Sequence, residues 1–418
     1  MRWQRMMISG GATLAGALVL AACGSGTATE EDQDDTGAVV DDGEEVGATP
    51  EPADTPDPAA RFRNTWPETD FSQVTVDLDE IKSGGVPIDG IPPLDAEGAT
   101  TLEARRSGEA NFAPVGDVDY EGQLPVAFIE VGGEARAYPL HILTWHEIVN
   151  DVVGGTPVAV TFCPLCNTVL AFDRDVDGDV LDFGVSGLLR HSDLVMWDRQ
   201  THSWWQQATG QGIAGEHAST QLRILGAGII SFEDFRNRFP DALVLTEDTG
   251  MGRTYGQNPY IGYDNIGSFP FLFDGEIDER LPAMERVVSL GDADEGLAVP
   301  FSLLQELHIA NVEVAATEAV VLWAPGTTSA LDELEIAEAA DIGSAIAYSP
   351  VVDGQRLTFE PGDEPGTFRD AETGSTWNIG GEAIDGPLAG TAMEIVPHTN
   401  IFWFAWAAFV PDTDIWEG

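Results

Sequence analysis

Pro139-Leu140-x-x-Leu143 is answered by Pro300-Phe301-x-x-Leu304, and Asn150 by Asn311, at a constant spacing of 161 residues. At that spacing the run Val158-Ala159-Val160-Thr161-Phe162 meets Ala319-Val320-Val321-Leu322-Trp323, and Pro164 meets Pro325. Farther on, Asp198, Thr201, Ser203 and Trp205 meet Asp370, Thr373, Ser375 and Trp377 at a spacing of 172. So many matches in one order point to an internal duplication, residues 124–245 and 285–418. A chain of this length then reads as two packed units of one design.

Within the first unit, residues 126–131 read as a strand, Gly132-Gly133 as a turn and residues 135–138 as its return. Pro139 opens a helix with Leu140, Leu143, Ile148 and Val149 on its apolar face, and Gly154-Gly155 ends it. Short strand-like runs follow, and Ser231 with Asp234 outlines a capping box before a helix that stops at Pro240. The expected fold is therefore α+β and β-rich, two internally duplicated units each with a helix followed by short antiparallel strands. Residues 61–123 read as an irregular N-terminal segment, because Pro92-Pro93 bars a central strand there. Residues 246–284 form an aromatic bridge between the units. Their Tyr and Asn side chains, Tyr260 among them, suit either a roof over a site or a packed bridge, and the bridge is the simpler reading.

At the N-terminus, Arg2 and Arg5 precede an apolar stretch too short for a permanent membrane span. It ends in Leu20-Ala21-Ala22-Cys23-Gly24, which resembles the lipobox of a bacterial lipoprotein. The resemblance implies that residues 1–22 are a signal peptide, that Cys23 carries the lipid, and that the protein sits on a cell membrane facing outside the cytoplasm. Residues 23–60 carry twelve acidic and no basic side chains and read as a disordered tether. Residues 61–418 still hold 17 basic against 59 acidic residues, a net −42. Such a surface repels phosphate backbones, so nucleic acid is not an expected partner. A protein or small-molecule partner stays open.

The two cysteines other than Cys23 lie together in Thr161-Phe162-Cys163-Pro164-Leu165-Cys166-Asn167. At the spacing of 161, Cys163 falls on Ala324, Cys166 on Thr327 and His146 on Leu307, so one unit has all three ligand-type side chains and the other none. Two thiolates and an imidazole suit zinc or copper, with a fourth position for water or substrate. Glu147 beside His146 is a candidate acid or base, although an exposed helix carboxylate is the simpler reading, and Glu147, Asn150, Asp151 and Tyr260 are candidates to surround the ligands. Two other readings compete: a thiol–disulfide redox pair, and a non-catalytic binding or structural module with a local disulfide. No catalytic residue is assigned. His141 and His191 read as ordinary surface or packed histidines, and Trp204-Trp205 as packing.

The strings His146-Glu147-Ile148-Val149-Asn150-Asp151, Thr161 to Thr168, Phe183-Gly184-Val185-Ser186-Gly187 and Ser192-Asp193-Leu194-Val195-Met196-Trp197-Asp198-Arg199 resemble the family catalogued as domain of unknown function 3179. Asp89-Gly90-Ile91-Pro92 and Asn258-Pro259-Tyr260 fit it too. The resemblance spans most of residues 80–415 and implies no activity. It keeps His146, Cys163 and Cys166 within its motifs, and it has asparagine where this chain has His191.

Overall fold

Runs of β-branched and aromatic residues separated by glycine pairs make the hairpin the local unit of this fold. The computed structural model describes residues 57–98 and 107–418. The expected signal peptide, Cys23 and the tether up to residue 56 lie outside the described residues. Residues 57–60, assigned above to the tether, are described, and Ala59 is buried in a cluster with Phe62, Trp66 and Trp204.

The short strands β1 (Ile81–Ser83) and β2 (Leu94–Asp95) come first. The hairpin of β3 (Pro125–Val131) and β4 (Glu134–Pro139) turns on Gly132 and Gly133, both with positive φ. Helix α1 (Leu140–His146) follows, then β5 (Ile148–Val153), β6 (Thr156–Cys163) and β7 (Thr168–Asp173), paired antiparallel in that order. Next, β8 (Phe183–Arg190), β9 (Asp193–Asp198), β10 (Trp204–Gln206) and β11 (Gln211–Ala214) form a meander edged by β1. β12 (Ala227–Ser231) returns to β3, and Ser231 caps α2 (Phe232–Arg238) by accepting from the Asp234 N–H at 3.0 Å. The later chain holds β13 (Arg286–Gly291), β14 (Gly296–Pro300), α3 (Phe301–Leu307), β15 (Ile309–Val314), β16 (Thr317–Ala324), β17 (Ser344–Tyr348), a four-stranded meander within residues 359–385, β18 (Thr399–Phe402) and α4 (Trp403–Phe409).

Thirty-one strands against four α-helices of seven residues each, among the described residues, make this a β protein and overturn the α+β expectation. Nor does a helix lead either half: a hairpin precedes α1 and another precedes α3. The helix expected from Pro139 to Gly154 stops at His146, because Glu147 takes φ 60° and turns the chain. Ile148 and Val149, read as its apolar face, belong to β5, a β-branched run that pairs along β6. Gly154-Gly155 is the two-residue turn of that hairpin, both residues with positive φ, and a Cβ on Gly154 would lie 2.1 Å from the Val131 carbonyl oxygen. Leu94–Asp95 lies inside a six-stranded sheet, parallel to β5, because Pro92-Pro93 ends just before the ladder begins.

Residues 124–245 and 285–418 do not bury separate cores. One apolar cluster joins Phe128 and Ile230 to Val320, Tyr348 and Trp377, and another joins Phe162 and Leu170 to Phe402 and Trp403. Several matched positions nevertheless make matched bonds. Asp198 accepts from the Thr201 N–H at 2.6 Å and the Trp205 Nε1–H at 2.8 Å, and Asp370 accepts from the Thr373 N–H at 2.6 Å and the Trp377 Nε1–H at 2.9 Å.

Buried Asn150 ties the six-stranded sheet to the meander. Its Nδ2 donates to Asp95 Oδ1 at 2.8 Å and to the Phe183 carbonyl at 2.9 Å, and its Oδ1 accepts from the Phe183 N–H at 3.0 Å. Asn150→Ala strands the Phe183 groups in the interior, so denaturant unfolding should show a loss of about 2–4 kcal/mol. A loss within about 0.5 kcal/mol, the range of an ordinary surface change, would remove Asn150 as the tie.

Candidate metal centre

The Cys-x-x-Cys segment is the tip of the β6–β7 hairpin, where Cys163 pairs with Thr168 across a four-residue loop. Asn167, at φ 56°, closes the loop, and its N–H donates to the Pro164 carbonyl. The loop is buried, so its backbone must be satisfied by protein. The Phe402 N–H in β18 donates to the Cys166 carbonyl at 2.9 Å, and the Tyr263 hydroxyl donates to the Leu165 carbonyl at 2.8 Å. Tyr263, within residues 246–284, thus reaches the loop, as a roof over it would.

Beside the loop stands the turn between β8 and β9. His191 and Ser192 take φ 52° and 65°, the two left-handed positions of a tight hairpin, and Arg190 pairs with Asp193 across it. This geometry sets Asp193 against the thiols. Cys166 Sγ donates to Asp193 Oδ1 at 2.8 Å, and Thr168 Oγ1 donates to Cys166 Sγ at 2.9 Å. The other carboxylate oxygen, Oδ2, accepts from Gln206 Nε2 at 2.5 Å and from the Ala208 N–H at 2.9 Å. One ligand atom each from Cys163, Cys166 and Asp193 lies within 4.8 Å of the others, and all three side chains are buried. Zinc–ligand bonds of about 2.0–2.3 Å place ligand atoms roughly 3.3–3.8 Å apart on a tetrahedron, a spacing that falls inside the 4.8 Å spread of these three.

The sequence expectation named His146 as third ligand, and His146 lies outside this cluster. Its Nδ1–H donates to the Pro92 carbonyl at 2.7 Å, and its Nε2 accepts from the Tyr255 hydroxyl at 2.6 Å. Burial pushes its pKa down to about 4, so the ring is neutral with both nitrogens engaged. Asn150 and Asp151 are likewise occupied with the scaffold: Asp151 is gripped by Arg136 and accepts from the Tyr138 hydroxyl. Of the surrounding residues expected, Glu147 and Tyr260 do come near, lining one cavity together with Leu165 of the loop. Asp193 was missed, yet a signal for it exists: at the spacing of 172 it falls on Pro365, so this carboxylate too has no counterpart.

Asp193 and Glu147 differ from the buried acids that have a guanidinium partner or that, like Asp198 and Asp370, are held by donors of their own turn. Asp182 is paired with Arg174, Asp89 with Arg199 and Asp151 with Arg136. Among the described residues, neither Asp193 nor Glu147 has an ion-pair partner. Burial pushes Asp193 up to about 6 against the pull of its hydrogen bonds. Burial, with the Asp193 charge nearby, pushes Glu147 up to about 8. Burial also raises both thiols, Cys166 well above the ordinary range. A cation is what would lower all four together.

Fold and site together define a β protein with a buried dithiol–carboxylate centre under an aromatic cover. The chain belongs to the protein family of unknown function DUF3179, whose sequence pattern matches residues 88–413. No curated protein and no solved structure matches it.

Because the folded-state pKa of Glu147 lies above its unfolded value of 4.5, its contribution to stability is complete below pH 4.5 and is lost as pH rises through about 8. Metal-free wild type should therefore lose up to about 4 kcal/mol relative to Glu147→Gln between pH 4.5 and 8.5. Asp193 titrates in both proteins and largely cancels in the comparison. Parallel stability–pH curves from thermal or denaturant melts would show that Glu147 ionises freely in the fold.

Proposed function

We propose that this protein binds one transition-metal ion, zinc in preference to copper, through Cys163, Cys166 and Asp193. The observation that carries the reading is the convergence of three buried ligand atoms from two separate hairpin turns within 4.8 Å. Two thiolates and a carboxylate bring three negative charges into the interior. A divalent ion leaves one of them uncompensated, and copper(I) leaves two. The oxygen ligand also favours zinc over the softer ion. Gln206 and the Ala208 N–H orient the carboxylate from behind, the usual role of groups outside the ligand set. The charged N-terminal arginines, the apolar stretch and Leu20-Ala21-Ala22-Cys23 support a lipid-anchored protein whose body faces outside the cytoplasm, with the membrane as its partner through that anchor.

Elemental analysis of the purified protein should give close to one zinc per chain. Cys163→Ser, Cys166→Ser and Asp193→Asn should each cut that occupancy at least tenfold, while His146→Ala keeps it. Metal-free wild type would sink the proposal, and loss of metal from His146→Ala alone would return the histidine to the ligand set.

A second reading is favoured by one bond, that from Cys166 Sγ to Asp193 Oδ1. A carboxylate so placed can take the Cys166 proton as the two thiols form a disulfide, their two electrons and two protons passing to an oxidant such as a partner disulfide. Metal-free protein equilibrated in a glutathione buffer at about −200 mV and then alkylated would become bridged in wild type and more slowly in Asp193→Asn. Full alkylation of both sulfurs across the buffer range would dismiss the redox reading.

A further inference from the structure

Next to the cluster lies a cavity of about 170 Å³, lined by Glu147, Tyr260 and Phe271 and otherwise by glycine, valine, leucine and isoleucine. One wall depends on a bulge in β8, where the register shifts between Val185 and Leu188. Gly187 sits there at φ 78°, and a Cβ on it would lie 2.2 Å from the Val86 carbonyl oxygen. The cavity is therefore built by the backbone and is not a loose packing defect. Leu165 belongs to the Cys-x-x-Cys loop and Leu194 follows Asp193, so the cavity abuts the cluster. At its wall the Glu147 side chain is the one carboxyl; the residue is 7% exposed, and no hydrogen bond to that carboxyl is found among the described residues. A carboxyl that lines a cavity and takes no hydrogen bond from the protein offers an acceptor or donor to a ligand there.

The way in is marked as well. Phe271 lines the cavity while remaining 56% exposed, and Ile261, Ile266, Phe269 and Leu272 of the same stretch are also exposed. An exposed aromatic ring at the cavity lining favours the approach of apolar molecules over ions. A cavity of about 150 Å³ walled by aliphatic and aromatic side chains takes a molecule of benzene size.

From this geometry we infer that the cavity is a binding site for a small, uncharged, ring-sized apolar molecule bearing one hydroxyl, which is held at the Glu147 carboxyl. No cationic side chain lines the cavity, so an anion has nothing to neutralise it there. The inference goes beyond the metal site and does not require it: the cavity can be filled or empty whether or not an ion is bound.

The test uses metal-free protein at pH 6.5, so that its outcome stands apart from the metal analysis. Calorimetric titration with phenol, toluene, benzoate and benzylamine should show phenol binding tightest. Filling the cavity by Leu194→Trp should weaken phenol at least tenfold, and Ile91→Phe, a milder change at the cavity wall, provides a second measurement if the first variant fails to fold. Glu147→Leu should reverse the order, so that toluene binds more tightly than phenol. Phenol bound equally by wild type and the filled variants would overturn the site, and benzoate or benzylamine binding as tightly as phenol would overturn the uncharged class.

Discussion

A buried loop must find protein partners for every backbone group that water cannot reach, and the Cys-x-x-Cys loop of this chain is such a loop. Locally it has the Asn167 to Pro164 bond, the Cys166 thiol to the Cys163 carbonyl and the Thr168 hydroxyl to the Cys166 carbonyl. The remainder come from far along the sequence, Tyr263 for the Leu165 carbonyl and Phe402 for that of Cys166. This requirement accounts for much of the architecture. The segment between the halves cannot be a slack connection, since Tyr255 bonds His146 and Tyr263 bonds the loop, and β18 cannot pack elsewhere without losing its bond to the Cys166 carbonyl. Thr399, three residues earlier on that strand, fastens it further: its hydroxyl donates to the Val169 carbonyl at 2.9 Å.

Arginine is scarce in this acidic chain, and its placement shows which buried acids are structural. Arg136, Arg174 and Arg199 point inward and neutralise Asp151, Asp182 and Asp89, each pair nearly closed to solvent. With so few cations on the outside, the surface keeps its large negative charge. The interior spends none of them on Asp193 or Glu147. A buried acid left without a counter-charge is destabilising, and here two of them stand beside two thiols.

The loop and its two sulfurs were legible in the sequence, because a Cys-x-x-Cys between apolar runs is local information. The hairpin built on Gly154-Gly155 was not: a helix period laid over Leu140 to Val149 matched by chance, and the β-branched run of β5 should have outweighed it. His146 misled for a related reason. With α1 ending at His146 and Glu147 turning the chain, the imidazole is committed to Pro92 and Tyr255, partners 54 and 109 residues away that no spacing argument reveals. Asp193 came from a second hairpin whose register against the first is a tertiary fact. The left-handed pair His191-Ser192 was the nearest local hint, since asparagine at position 191 in the related pattern is a residue that tolerates that conformation.

The bond from Phe402 to Cys166 spans 236 positions of sequence. At the usual pace of synthesis, about 5–20 residues per second, Cys166 is made roughly 10–50 seconds before Phe402, from whose N–H its carbonyl accepts. For that interval the Cys-x-x-Cys loop lacks one of the partners that hold it in the finished fold. Its final geometry thus waits on a strand made late in the chain.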